Sequence, residues 1–318
     1  MDRLSPLDVS FLHVEDEVSH MHLGSVGLFE GPAPGEAELL RTVERKLHLA
    51  PRWRQRVRFV PLQAGRPVWT DDPHFDLRFH VRRTGLASPG GDAELRRLVG
   101  RVMSQQLDRN RPLWELWVVE GVQDNRWALI SKLHHAMVDG VSGSNLITVL
   151  LDEERDGPRD PAPGWEPQPE PAGARLVVEA LAERARWPLR EVRAAVDALG
   201  APVDWVQHAA QTVQGLVAYA GIAWRPPASR LNGPLGPHRV WAHARAQLSD
   251  VKEIRAALGG TVNDVVLTAI TGGFRALMTA RGEDVAPDRT LRTLVPVSVR
   301  ARDQSGAYDN RVSAMFAD

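Results

Sequence analysis

A pair of adjacent histidines carries the clearest chemical signal in this chain. His134 and His135 lie in the run LISKLHHAMVDGVSG, and Asp139 and Gly140 follow them. An imidazole titrates near neutral pH and can take a proton from a hydroxyl group. The aspartate could orient an imidazole or pair with an arginine, and the glycine suits a tight turn. The run therefore predicts a site for proton transfer.

The segment before the pair is predicted to position it. RWALISKL (126–133) alternates and carries β-branched and aromatic residues, which predicts a strand with one buried face. Successive strand side chains point to opposite faces, so only one of the two histidines is expected to face the chemistry. One face is predicted to carry Leu129, Ser131, Leu133 and His135, and the other Ile130, Lys132 and His134. We assign His135 as the general base and His134 to orienting the loop.

The periodicity of the rest of the chain predicts a mixed α/β fold. Strands are expected at 23–31, 75–81, 114–121, 239–248 and, as a strand, a loop and the start of another strand, over 291–318. Helices are expected at 35–50, 92–107, 140–152, 175–199, 204–224, 249–258 and from 261 onwards. Thr261 is a candidate cap for the last helix, which would place Asn263 and Asp264 in its first turn. The proline-rich run GPRDPAPGWEPQPEP (157–171) predicts an extended connector.

Five stretches of the chain resemble a known family. They are LSPLDVSFLHVED (4–16) with MHLGSVGLFEG (21–31), RPLWELWVVEG (111–121), SRLNGPLGPHR (229–239) and TVNDVVLTAITGGFRAL (261–277). With HHAMVDG they are similar to the bacterial wax ester synthase/diacylglycerol acyltransferases. These belong to the CoA-dependent acyltransferases, together with chloramphenicol acetyltransferase and condensation domains. The resemblance implies an α/β (α+β) fold with a chloramphenicol-acetyltransferase-like two-domain architecture.

The resemblance also implies a reaction and a set of residues. The donor would be acyl-CoA, used as a substrate with no cofactor, and the acceptor diacylglycerol or a long-chain alcohol. The PLW motif of the family falls on Pro112, Leu113 and Trp114, and its ND motif on Asn263 and Asp264. These five residues are the predicted substrate-binding set, and the amide of Asn263 could bond a substrate or the developing oxyanion. In related acyltransferases the aspartate at the position of Asp139 shapes the site by pairing with an arginine.

Several alternatives stay open at this stage. A condensation-domain or polyketide-associated acyltransferase would share HHxxxDG and use a carrier-protein thioester, although the PLW and ND stretches argue against it. A catalytically silent lipid-droplet binding protein could keep the same fold. A covalent route would use Ser131 or Ser142 as the nucleophile, but the sequence has no nucleophile elbow. A zinc site is disfavoured because no HExxH or paired-cysteine spacing occurs.

Composition excludes several classes of function. The chain has 318 residues, 43% of them hydrophobic and 25% charged, and a net charge of −1, which argues against nucleic-acid binding. It has no cysteine, which excludes disulfides and a cysteinyl acyl-enzyme and suits a cytoplasmic setting. No signal peptide or run of 18 apolar residues is expected. The apolar stripe of 204–224 favours packing between domains, with peripheral contact to the membrane or a lipid droplet as the alternative.

Three segments are predicted along the chain. Residues 1–156 are expected to form an N-terminal acyltransferase-like domain that carries the histidines. Residues 157–237 are expected to form the proline-rich linker and connecting helices, and 238–318 the start of a C-terminal acyltransferase-like domain. Similar proteins continue further, so this domain is expected to be truncated, with its remainder missing or supplied as a separate chain.

Overall fold

A computed structural model describes residues 2–137, 149–151, 164–185, 231, 233–283, 285–286, 290–298 and 312–317 of the chain. Contacts divide the chain into two compact units. The first comprises Met1–Trp241 with Val297–Ser313, and the second Ala242–Pro296 with Ala314–Asp318. The three-part division predicted from the sequence stays a prediction.

The described part of the chain contains nine strands and seven α-helices. The helix count includes only helices of at least four residues and leaves out the short 3-10 turns. The strands are β1 (Asp2–Arg3), β2 (His22–Glu30), β3 (Gln55–Arg58), β4 (Val68–Asp71), β5 (Val81–Gly85), β6 (Trp114–Val122), β7 (Arg126–His134), β8 (Thr293–Ser298) and β9 (Val312–Ala317). The helices are α1 (Pro6–Val14), α2 (Glu36–Lys46), α3 (Leu77–His80), α4 (Asp92–Met103), α5 (173–185), α6 (Leu248–Leu258) and α7 (Val262–Ala280).

A four-stranded sheet with the order β2-β7-β6-β5 positions the histidine pair in the first unit. β7 pairs antiparallel with both of its neighbours, and β5 pairs parallel with β6. A central strand has backbone partners on both sides, so its last residue is more firmly held than the end of an edge strand. β7 ends at His134, opposite His22 of β2.

Helices cover both faces of this sheet. On one face α1 and α2 pack against the alternate residues Leu129 and Leu133 of β7. On the other face α4 packs against Ile130 of the same strand. The α4 residues in this second core are Leu95, Leu98, Val99 and Val102. Each such side chain stabilises the fold by about 1.5–3 kcal/mol when it is fully buried.

The smaller elements form separate layers. β1, β4 and β3 make a three-stranded antiparallel sheet, and α5 packs Leu176 and Ala180 against Val60 and Val68 beside it. In the second unit α6 is followed directly by α7, which begins after the cap residue Thr261. β8 and β9 pair in a two-stranded sheet of their own.

Most of the predicted elements are confirmed. The strands expected at 23–31, 114–121 and 126–133 and the helices expected at 35–50, 92–107, 249–258 and from 261 are all present. Residues 164–171 of the proline-rich run form neither helix nor strand. The helix expected at 204–224 and residues 140–148 and 152 of the one expected at 140–152 lie outside the described residues.

The strand predicted over 75–81 is wrong for its first part. Residues Leu77–His80 form the short helix α3, and the strand β5 starts only at Val81. The side chain of Asp76 accepts a hydrogen bond of 2.9 Å from the Arg78 N–H. This cap favours a helical turn over the strand that the alternation of apolar residues predicted.

The strand predicted over 239–248 is also wrong. Residues 239–247 have no regular structure, and α6 begins at Leu248. Instead of pairing with a strand, the Arg239 N–H donates to the Ser104 hydroxyl at 2.7 Å. A Cβ atom on Gly100 of α4 would lie 2.6 Å from the Arg239 carbonyl oxygen. This segment therefore runs across α4, where a glycine permits the close approach.

Candidate active site

The histidine pair lies where the central strand β7 becomes a turn. His134 is the last residue of the strand, and a 3-10 turn covers His135–Met137. The His134 N–H donates to the Leu113 carbonyl at 3.0 Å, and the His135 N–H donates to the Met21 carbonyl at 2.8 Å. The backbone of the pair is therefore fixed by segments on either side of β7.

The ring of His134 is fully buried and has a definite orientation. Its Nδ1 atom accepts a hydrogen bond of 3.0 Å from the Ala136 N–H. A nitrogen that accepts a hydrogen bond carries no proton, so we assign the ring proton to Nε2. Nε2 lies 3.5 Å from Oε2 of Glu15.

Glu15 is the buried carboxylate beside the pair. It follows α1, its side chain is only 4% exposed, and its Oε1 atom lies 3.2 Å from Nε2 of His22. Oε2 accepts hydrogen bonds from Arg109 Nη2 at 2.6 Å and Nε at 3.0 Å. Burial raises the pKa of Glu15, but the contacts with His134, His22 and Arg109 together outweigh burial and lower the pKa well below its usual range.

His135 differs from its neighbour in being only half-buried. Its ring stacks on Phe11 of α1, with 4.7 Å between the ring centroids. Burial lowers the pKa of His135 below its ordinary value of 6.5. The ring is therefore neutral at pH 7, which is the form that can accept a proton.

Lys132 is a buried amine on the same strand. It is fully buried, and its Nζ atom donates hydrogen bonds to the carbonyls of Val102, at 2.9 Å, and Gln105 at the end of α4. Glu115 approaches Nζ to 4.0 Å. Burial lowers the pKa of Lys132 to about 8, although Glu115 opposes that change. The sequence reasoning gave this lysine no role.

The predicted PLW segment lies in the core of the first unit. Pro112, Leu113 and Trp114 are all buried, and Leu113 and Trp114 belong to the core that α1 and α2 cover. The indole Nε1 of Trp114 donates to the Trp53 carbonyl at 2.8 Å. Through its carbonyl, Leu113 also contacts the backbone of His134. These contacts favour a supporting role, and the substrate-binding assignment stays a prediction.

Asn263 and Asp264 lie in the second unit, in the first turn of α7, as predicted. Both are exposed. Thr261 caps the helix, and its N–H and hydroxyl donate to the Asp264 carboxylate at 2.7 and 2.8 Å. These bonds lower the pKa of Asp264. Asp264 therefore stabilises the helix terminus, and the assignment of Asn263 and Asp264 to substrate binding stays a prediction.

The rest of the predicted motif is only partly described. Asp139, Gly140 and Ser142 lie outside the described residues. Ser131 is fully buried, and its hydroxyl shares a hydrogen bond of 2.6 Å with the hydroxyl of Ser25. A buried hydroxyl that is engaged in this way is poorly placed to attack a substrate, which disfavours the covalent route through Ser131.

Metal-binding clusters and membrane-spanning helices are both absent from the described ranges. Within them, no group of three or more histidine, aspartate or glutamate side chains has the arrangement needed to hold a metal ion. No helix within those ranges combines the length and apolar character needed to cross a membrane.

Comparison with known proteins identifies the family. The model of the wax ester synthase/diacylglycerol acyltransferase catalytic domain matches residues 4–266, which is most of the chain. The chain belongs to the wax ester synthase/diacylglycerol acyltransferase family. The match includes α1, the sheet and the histidine pair, and it ends within α7.

Members of the wax ester synthase/diacylglycerol acyltransferase family from mycobacteria are similar along the chain. A probable diacylglycerol O-acyltransferase of Mycobacterium tuberculosis, tgs1, is 36% identical over 99% of this chain and 66% of its own length. A second one, tgs3, is 36% identical over 80% of this chain and 95% of its own length. This chain therefore spans just under two thirds of the length of tgs1.

Solved structures confirm the expected fold class. The wax ester synthase/diacylglycerol acyltransferase of Marinobacter aquaeolei VT8 superposes with a TM-score of 0.60 and 28% identity, over 88% of this chain and 61% of that one. The first condensation domain of the calcium-dependent antibiotic synthetase gives a TM-score of 0.53 at 16% identity, covering 99% of this chain and 68% of its own. The second likeness concerns the fold alone.

The sequence reasoning missed the polar residues that surround His134 in this family member. Glu15 lies within LSPLDVSFLHVED and His22 within MHLGSVGLFEG, the two stretches quoted for the family resemblance. A carboxylate and a histidine within stretches that resemble the family were the signal from which these two residues could have been predicted as part of the site. The position of His22 opposite His134 depends on the pairing of β2 with β7, and the approach of Glu15 depends on where α1 ends; local periodicity encodes neither.

Proposed function

We propose that this chain is an acyl-CoA-dependent O-acyltransferase that esterifies diacylglycerol, a long-chain alcohol or both. The observation that carries the proposal is His135, a half-exposed imidazole at the end of a central strand in a member of this family. Its lowered pKa keeps it in the form that accepts a proton at pH 7. Relatives named as diacylglycerol O-acyltransferases support diacylglycerol as an acceptor, and the Marinobacter protein supports a long-chain alcohol.

The proposed reaction is a direct transfer in which His135 makes both proton transfers. The imidazole takes the proton of the acceptor hydroxyl while the hydroxyl oxygen attacks the thioester carbonyl carbon. The tetrahedral intermediate collapses, the carbon–sulfur bond breaks, and the imidazolium returns the proton to the CoA sulfur. The products are an ester and free CoA, so atoms and charge balance without a cofactor.

The remaining predicted residues have supporting roles in this proposal. His134 holds the turn, and Asp139 and Gly140 shape the loop that follows it. Asn263 is the proposed hydrogen-bond donor to the substrate or to the oxyanion, a kind of contact that contributes about 2.7–4 kcal/mol where it has been removed in other enzymes.

The experiment is an analysis of products by thin-layer chromatography. The complete protein is given radiolabelled palmitoyl-CoA with either diacylglycerol or hexadecanol, and a palmitoyl carrier protein serves as the alternative donor. We expect label in triacylglycerol, in wax ester or in both when acyl-CoA is the donor. Transfer from the carrier protein alone would reject the proposal in favour of a condensation-type reaction, and no ester from either donor would favour a silent binding protein.

We further propose peripheral contact with a membrane or lipid droplet, because both acceptors are found in such phases. The apolar stripe of 204–224 is the segment that the sequence offers for this contact. Flotation with liposomes tests it: deletion of 204–224 should abolish co-flotation, and unchanged binding would rule this segment out as the anchor.

A further inference from the structure

A buried carboxylate lies at the junction of α1 and the histidine pair, and the proposed reaction gives it no part. Glu15 is the residue directly after α1, with its side chain 4% exposed. Burying a charge is unfavourable unless it is paired and hydrogen-bonded. Here Arg109 donates two hydrogen bonds to Oε2, and the imidazoles of His22 and His134 lie at 3.2 and 3.5 Å. The buried carboxylate is thus surrounded by a guanidinium group and two imidazole rings.

The contact with His134 determines where that ring keeps its proton. Nδ1 of His134 is occupied as an acceptor for the Ala136 N–H, so the single proton of the neutral ring is on Nε2. Nε2 is buried and makes no hydrogen bond of its own, and Glu15 Oε2 is the carboxylate oxygen beside it, at 3.5 Å. Without this negatively charged neighbour, a proton on Nε2 would lose the electrostatic attraction that favours it there, and the ring could flip or move its proton to Nδ1. Either change would break the bond to Ala136.

The bond to Ala136 matters because it lies inside the turn that carries the proposed base. The turn covers His135–Met137, and the Ala136 N–H donates its hydrogen bond to the ring of His134. The same helix end that presents Glu15 to His134 also presents Phe11 to the ring of His135. Both imidazoles are therefore positioned by α1, one through a carboxylate and the other through ring stacking.

We propose that Glu15 is a positioning residue of this site: its carboxylate holds His134 with the proton on Nε2, and this keeps the turn that carries His135 in place. The inference rests on the proposed function, since it assigns a role in the reaction of His135. Glu15 acts through His134 and takes no proton from the substrate. Its effect is therefore expected on kcat rather than on substrate affinity.

The kinetic test compares Glu15→Ala, Glu15→Gln and the control Glu17→Ala. Glu17 is exposed and lies two residues further on. Misplacement of a catalytic group by about 1 Å can cost about 10²-fold, so we expect Glu15→Ala to lower kcat by roughly that factor with little change in KM. Glutamine keeps an oxygen that can accept from Nε2–H, so Glu15→Gln should recover most of the rate. Thermal unfolding of each variant sets an assay temperature at which all of them are folded.

A second measurement reads the proton position directly. Long-range proton–nitrogen NMR correlation of the ¹⁵N-histidine-labelled protein distinguishes Nε2–H from Nδ1–H rings, and His134→Asn identifies the His134 signals. We expect the Nε2–H form in the wild type and in Glu15→Gln, and loss of that form in Glu15→Ala.

Two outcomes would overturn the inference. One is a Glu15→Ala protein that keeps both kcat and the Nε2–H form of His134. The other is a Glu15→Gln protein as slow as Glu15→Ala, since a neutral acceptor would then be unable to replace the carboxylate. If the wild type makes no ester at all, the proposed function fails, and the NMR comparison alone decides whether Glu15 holds His134.

Discussion

Substitution of Trp114 tests whether the PLW segment supports the core or binds a substrate. The side chain is fully buried, its Nε1 donates to the Trp53 carbonyl at 2.8 Å, and its ring stacks on His80 with 4.6 Å between centroids. Trp114→Ala removes the whole ring from a packed site, which costs about 3–5 kcal/mol. Trp114→Phe keeps much of the ring but removes the donor to a buried carbonyl, which costs about 1–3 kcal/mol.

The measurement is thermal unfolding combined with steady-state kinetics. For a unit of this size about 1 kcal/mol corresponds to roughly 2–4 °C, so Trp114→Ala should lower the Tm by about 6–20 °C and Trp114→Phe by less. Trp117→Phe is the control, because Trp117 lies on the same strand but is only partly buried. Below its Tm, Trp114→Phe should keep the wild-type KM for acyl-CoA. An unchanged Tm with a raised KM would refute the structural interpretation and support substrate binding.

Two further predictions concern a buried amine and the start of α7. The folded-state pKa of Lys132 is lowered to about 8 from an ordinary 10.5, so between these values the unfolded chain binds more protons than the folded one. The stability of the wild type relative to Lys132→Met should therefore increase as the pH rises from about 8 towards 10.5, as measured by urea unfolding; a difference that does not vary with pH would contradict this. At the start of α7, Asn263→Ala should lower kcat/KM without changing the Tm, whereas Thr261→Ala should destabilise the helix by about 1 kcal/mol because it removes the cap. Equal loss of stability in the two variants would make Asn263 a structural residue.

The type of an element could be predicted from the sequence where the spacing of its apolar residues matches the side chains that it buries. β7 alternates Leu129 and Leu133 on one face with Ile130 on the other, and the structure places these residues in two different cores. The buried apolar side chains of α4 are spaced as on one face of a helix: Leu95, Leu98, Val99 and Val102. For α4 local periodicity and tertiary packing agree, whereas β7 was predicted to bury one face and instead buries both, from Ala128 to His134.

Prediction failed where a specific polar contact competed with periodicity. The alternation over 75–81 predicted a strand, but the Asp76 side chain caps a short helix there. Residues 239–248 alternate as well, yet a strand also needs a partner, and the Arg239 N–H bonds to the Ser104 hydroxyl of a helix terminus instead. Neither contact leaves a signal in the hydrophobic pattern.

The candidate site was predictable only in part. The order His-His-x-x-x-Asp-Gly is local, and the end of a strand before it follows from periodicity. The groups around His134 are distant in sequence: Glu15 lies beside its ring at the end of α1, and Arg109, from the segment after α4, bonds to Glu15 in turn. Contacts of this kind depend on the tertiary structure. A single sequence therefore shows which residues are present but not which of them are in contact.

The central claim is that the imidazole of His135 takes the proton of the acceptor hydroxyl, and the rate of ester formation by His135→Ala tests it most directly. General-base catalysis contributes about 10² to 10⁴ in rate, so kcat with palmitoyl-CoA and the preferred acceptor should fall by a factor in that range. The half-exposed ring does not belong to either buried core, so the Tm should remain close to that of the wild type. A folded His135→Ala protein that retains most of its turnover would contradict the account.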